Sequence, residues 1–224
     1  MQIPGETYSR VSDAEFNRWA NASALLLTLN RPQQSLDASN KALAIYPDAP
    51  WILYFRARAE VAAGDTQDAE RDLLHSSALD DREYTWVLLL DLYRDQRRIN
   101  EAVHVMEHMA SRSSQPARIL LEEGNFYLQS RRPQDALKAY DRAEEEQNSS
   151  TDKQTSAAIA HGHAAVWSFL GNMARATTYE EQAVQLEPNN ASYWSQLAQL
   201  YTQQGRTREA EQAQQYAGAS AAPR

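Results

Sequence analysis

The run His104-Val105-Met106-Glu107-His108 spells H-x-x-E-H, a zinc pattern. Histidines at i and i+4 share one helix face and can chelate a metal, with the glutamate beside them as general base. Met106, however, falls on an apolar packing stripe, which turns both histidines toward an outer surface with no third ligand or cleft. The match is read as chance. His161 and His163 are two apart on one helical stretch and point to different faces, His163 to a packing position and His161 inward. His75 stands alone. No serine–histidine–acid set, phosphate-cradling glycine loop or pair of buried carboxylates has the spacing its chemistry needs. Three N-x-S sequons begin at Asn21, Asn148 and Asn190, the first of them mid-helix, and all are read as chance. The chain is therefore expected not to be an enzyme, with no catalytic residue, metal ligand or cofactor.

The elements that would position such residues follow from composition and periodicity. Of 224 residues, 42% are apolar and 23% charged, with net charge -8. That is too apolar for general disorder and too acidic for a nucleic-acid footprint. The absence of cysteine excludes disulfide frameworks and thiol catalysis but leaves the compartment open. Apolar runs such as Leu25 to Leu27 are far too short to span a bilayer. The start carries Pro4, Gly5 and Glu6 where a signal peptide needs an apolar stretch. The expected compartment is cytoplasmic as the chain stands, or periplasmic if an upstream segment has been removed.

Self-similarity organises the chain. Trp194, Leu197, Ala198, Tyr201, Gly205 and Ala210 repeat a spacing seen 34 residues earlier in Ala164, Trp167, Gly171 and Ala176. Further copies carry Gly124, Tyr127, Ala136 and Tyr140, then Trp86, Leu89, Leu90, Tyr93, Ala102 and Met106, then Gly64, Ala69 and Leu73. Units begin near residues 16, 50, 83, 117, 157 and 191, with steps of 34, 33, 34, 40 and 34. These residues resemble the tetratricopeptide repeat family over roughly residues 16 to 217, most specifically in the last four units. The resemblance implies two antiparallel helices per unit, stacked into a right-handed superhelix with a concave inner face.

The residues agree. Two apolar stripes at helical spacing recur in each unit, and no strand signal survives, so the fold class is all-α. Ser12 and Glu15 read as a capping box for the first helix, and Asp48 as an N-cap before Pro50. Pro32 and Pro133 open second helices, while Gly64, Gly171 and Gly205 end first helices in the left-handed conformation. The core is expected around Trp86, Tyr93, Tyr127 and Tyr140. Residues 12–217 form a single array, with a loose lead-in over 1–11 and a disordered tail over 218–224. Six extra residues fall around 144–153, read as a lengthened helix and polar loop or as a partner-binding loop.

Projected onto the repeat register, the inner face carries Trp51, Tyr54 and Arg58, then Tyr84, Val87, Asp91 and Arg94, then Arg118, Leu121 and Asn125. Aromatics beside arginines have the composition of binding hot spots. The alternative is that Arg58 and Asp91 pair with one another. Arg97-Arg98 and Arg131-Arg132 occupy the same two positions in successive units, as helix-dipole partners or as a basic rim for an acidic partner segment. The Lys and Asn pair of a two-carboxylate clamp, found in repeats that hold chaperone C-termini, occurs in no copy. The expected function is a non-catalytic scaffold or adaptor holding a peptide or protein surface. The alternative is the interaction segment of a larger enzyme or export assembly whose catalytic part lies elsewhere. The expected partner is protein, not nucleic acid, with no direct membrane insertion. The expected state is a monomer, with homo-oligomers through a poorly capped end as the other reading. The arginine-rich, lysine-poor composition looks bacterial.

Overall fold

The computed structural model of the protein describes residues 4–148 and 151–220, and those residues form helices joined by short turns and loops. Twelve helices are described: α1 Pro4–Thr28, α2 Pro32–Leu43, α3 Pro50–Ala63, α4 Thr66–Leu79, α5 Glu83–Asp95, α6 Ile99–Arg112, α7 Pro116–Gln129, α8 Pro133–Glu145, α9 Lys153–Phe169, α10 Met173–Leu186, α11 Ala191–Gln203 and α12 Thr207–Ser220. None is long and apolar enough to cross a membrane. The chain divides into two compact units, Met1–Val105 and Met106–Arg224. In the first unit α1 packs on α2, α2 on α3, α3 on α4 and α4 on α5. In the second, α7 pairs with α8, α8 with α9, α9 with α10, α10 with α11 and α11 with α12. Chain neighbours thus pack as spatial neighbours, and burial accumulates locally.

Each first helix ends in one device. Gly64, Gly171 and Gly205 adopt φ of 90°, 79° and 72°, and Asn30, Arg97 and Arg131 adopt 55°, 56° and 57° at the same place in their units. The next N–H then reaches back five residues, as from Arg98 to the Tyr93 carbonyl at 2.9 Å and from Asn172 to the Trp167 carbonyl at 2.8 Å. This is the Schellman closure of a helix C-terminus. Asn tolerates the left-handed region; arginine does so at a cost of roughly 1 kcal/mol. Arg97→Gly and Arg131→Gly should therefore each raise stability by about 0.5–1 kcal/mol. Gly64→Ala should lower it, although no atom lies within 4 Å of the added carbon. Urea denaturation of the three variants checks both signs.

Several local expectations need correcting. Helix α1 begins at Pro4, so helical backbone occupies part of the stretch read as a loose lead-in, and Ser12 and Glu15 lie inside the helix rather than capping it. Helix α12 runs through Gly218 to Ser220, into the stretch read as tail; residues 221–224 lie outside the described residues. Ala49, not Asp48, is the N-cap of α3, and Asp48 instead meets His75 at 3.1 Å. Side-chain caps form where they were not expected: Asp152, Asn172 and Asn190 accept from the backbones of Thr155, Arg175 and Ser192. The extra residues before the fifth unit divide between a connecting loop and α9, which has 17 residues where its neighbours have 13 or 14.

Core placement explains the loose first unit. Ser23, Ser35 and Ser39 are fully buried and satisfy one another, with Ser23 Oγ 3.0 Å from Ser35 Oγ and 2.7 Å from Ser39 Oγ. Buried hydroxyls are tolerated only when paired in this way. Trp86 is only half-buried, its indole N–H donating to Asp81, while Thr85, Leu89 and Leu90 take the buried positions beside it. Tyr140 is the largest fully buried side chain.

Candidate functional site

In the first unit the residues expected to meet a partner lie on first helices α3 and α5, one residue before or after buried ones. Ile52, Leu53 and Ala57 point into the core, which leaves Trp51, Tyr54 and Arg58 on the other side of α3. Trp51 remains 38% exposed and Tyr84 39%. Their rings are not isolated. Tyr54 lies 4.5 Å from Tyr84 and 5.8 Å from Phe55, Phe55 lies 5.9 Å from Trp51, and Trp51 lies 5.6 Å from Phe16 of α1. Five aromatic rings thus form a continuous chain across α1, α3 and α5. Tilted and edge-to-face contacts at these separations hold the rings in place, while Trp51 and Tyr84 keep an outer surface exposed. Phe16 and Phe55 are additions to the expected set; the run Trp51 to Phe55, with three aromatics in five residues, was the signal for Phe55.

Charge surrounds this chain of rings. The Arg58 guanidinium sits 5.8 Å from the Tyr54 ring centre, and among the described residues no ion pair joins Arg58 to Asp91. Burial raises the Tyr84 phenol above its ordinary value, and Asp80 adds to the effect. Val87 and Asp91 are exposed on α5, and Arg94 is half-buried one turn farther on. In the second unit Arg118 and Asn125 are exposed on α7, but Asn125 accepts the Tyr140 hydroxyl at 2.7 Å. Leu121, expected on the inner face, is buried in the core with Leu120, Ile159 and Val166. Its apolar side chain gains more from that cluster than from water.

The arginine pairs are largely used within the chain. Arg98 meets Glu70 at 2.5 Å and Glu101 at 2.9 Å and lies 4.6 Å from the Tyr93 ring centre. Tyr93 in turn donates to Glu70 at 3.0 Å. Arg132 meets Asp135 at 2.8 Å and stacks 4.8 Å over Tyr127. Arg97 and Arg131 are the left-handed turn residues. Within the chain these contacts occupy the Arg98 and Arg132 side chains.

The histidines also resolve. On α6, His104 is exposed and Glu107 is engaged by Arg142 at 3.1 Å. His161 Nδ1 lies 2.9 Å from the fully buried Glu180 carboxylate, and its ring lies 5.0 Å from Tyr193. Burial raises the Glu180 carboxyl, and His161 opposes that rise. His163 is fully buried, as its packing position led us to expect.

Comparison with known proteins places this geometry. Family models described as tetratricopeptide repeat match residues 87–151 and 179–212. Comparison with curated protein sequences returns no significant match. A tetratricopeptide repeat protein from Parabacteroides merdae superposes with a TM-score of 0.59 at 14% identity, over 94% of this chain and 81% of that one. A structure of Naa15/Naa10 bound to HypK-THB superposes with a TM-score of 0.67 at 13% identity, over 93% of this chain but 32% of the other. Identities this low speak to the fold alone. Helix pairs at a step near 34 residues, the recurrent left-handed turn and two matching family models together make this chain a tetratricopeptide repeat protein.

Proposed function

We propose that the chain is a non-catalytic scaffold that holds a peptide or protein surface against the α3–α5 face. Trp51, Tyr54 and Tyr84 serve as apolar anchors, and Arg58, Asp91 and Arg94 set charge and orientation. Arg118 and Asn125 offer polar contacts in the second unit. Tetratricopeptide arrays are protein-interaction folds, and the observation that supports this face is the aromatic chain itself. Rings held by one another, with Trp51 and Tyr84 nearly two-fifths exposed, bury large area on binding at little entropic cost. Arginine beside them can grip a carboxylate and stack on a ring, favouring a partner segment that mixes aromatic or aliphatic residues with Asp or Glu.

Peptides selected on the wild-type protein from a displayed random library provide the ligand for the test. Tyr54→Ala with Tyr84→Ala should weaken their binding by about 2 kcal/mol or more, while the circular dichroism spectrum stays helical. Ser195→Ala with Gln199→Ala on α11 should change binding little. Selected peptides that bind the tyrosine variant normally but lose the α11 variant would place recognition elsewhere.

A further inference from the structure

The extra residues before the fifth unit build something the repeat does not require. Between the end of α8, the lengthened start of α9 and the outer side of α10 lies a cavity of about 190 Å³, partly open to solvent. Gln147 comes from the connecting loop and Ser156 from the extension of α9, and Ser156 donates to Gln147 at 2.8 Å, closing that wall. At its inner end sits His163, 0% exposed, its ring stacked 4.5 Å from Tyr179 at an interplanar angle of 14°. Neither ring nitrogen has a hydrogen-bond partner among the described residues. The nearest charged atoms are Glu144 Oε2 at 3.5 Å and Asp141 Oδ1 at 3.8 Å, both on half-exposed side chains, and the Tyr140 main chain also faces the ring. A buried imidazole without a side-chain hydrogen bond is costly, and His163 is among the residues that line this cavity.

The lining has two characters. Ile159, Ala160 and Leu186 give one apolar wall, while Glu144, Gln147 and His163 give acceptors, and no lysine or arginine lines the space. Burial keeps His163 below its ordinary value, hence neutral, so one nitrogen offers a lone pair. An aliphatic stem ending in a cationic, hydrogen-donating head matches that division. We propose that this cavity receives the side chain of an arginine or lysine presented by a partner, its methylenes on Ile159, Ala160 and Leu186 and its head between Glu144 and His163. It is a second recognition point, separate in residues and chemistry from the aromatic face.

The test uses the full chain labelled with ¹⁵N in its histidines, His163 being assigned from the signal lost in His163→Gln. n-Butylguanidinium and n-butylammonium stand for the two head groups, and n-butylurea is the neutral control of the same shape. The His163 ring signals should shift and saturate with at least one cation, the stronger naming the head group, and stay unmoved by the urea. Glu144→Gln, at an exposed site that leaves folding intact, should weaken the effect about fivefold, as expected for losing one partly screened charge pair. A silent His163, an equal response to butylurea, or undiminished affinity in Glu144→Gln combined with Asp141→Asn would overturn the proposal. None of these outcomes depends on Trp51, Tyr54 or Tyr84.

Discussion

Tyr140→Ala should destabilise the protein by about 3–5 kcal/mol, the range for emptying a large buried aromatic site. Gly124→Ala should cost about 1–3 kcal/mol by overpacking the same site. The Tyr140 ring is wedged between the backbones of two helices. A β-carbon at Gly162 of α9 would lie 2.6 Å from the ring, and one at Gly124 of α7 would lie closer still. The ring cannot swing aside, because its hydroxyl is held by Asn125 and His163 stands 5.6 Å away. Both glycines lie inside helices, where alanine is otherwise favoured by nearly 1 kcal/mol. The sign of Gly124→Ala should therefore reverse once the ring is gone: in a Tyr140→Ala background it should stabilise by about 0.5–1 kcal/mol. Urea denaturation of the four proteins in this cycle gives the coupling directly. Additive effects would mean that glycine and ring do not constrain each other.

The second large effect is on pH dependence. Glu123 is 2% exposed and Glu60 is 7% exposed. Burial, above all, pushes each carboxyl up to about 7; Asp72 reinforces this at Glu60, and Arg142, 3.6 Å from Glu123, opposes it there. One oxygen of each has no hydrogen-bond partner among the described residues. A folded-state value above the unfolded one means that the folded protein binds more protons between pH 4.5 and about 7. The stability these two groups allow is present below that interval and is lost as pH rises through it. Glu70 acts in the opposite sense at the acid end, since Arg98 lowers its value, and His163 does so because burial opposes its charging. The comparison must therefore be a difference. Glu60→Gln with Glu123→Gln should match the wild type near pH 4.5 and exceed it at pH 8 by about 1 kcal/mol per site, after allowance for screening. Melting curves at both pH values measure this. A double variant no more stable than the wild type at pH 8 would show that both carboxylates ionise without penalty.

Periodicity made the all-α repeat legible because each unit carries its own apolar stripes and punctuation. The turn glycines were readable for the same reason. Arg97 and Arg131 were not read as turn residues, because the identity of a residue does not disclose a positive φ that neighbouring hydrogen bonds enforce. Trp86 and Leu121 show a different limit. A register assigns a face, but how deeply an apolar residue goes under depends on what the neighbouring helix presents. Trp86 is held half-out by Asp81, and Leu121 is drawn in by a cluster from α7, α8 and α9. The placement of Trp51, Tyr54 and Tyr84 on the first helices α3 and α5 was legible, because the repeat register alone assigns it. The His163 cavity was not, since it arises from an irregular connection whose geometry no repeat pattern specifies. The single interruption of the period was its only sequence signal.

The wedged ring has a kinetic meaning as well. A tyrosine ring turns about its own axis only by sweeping out volume, and in a close-packed interior that volume must be vacated first. At Tyr140 the space on either side is main chain, which cannot rotate out of the way as a leucine can. Each half-turn therefore waits for α7 and α9 to draw apart. The exchange between the two edges of this ring, resolved by magnetic resonance, would act as a clock for the breathing of the second unit.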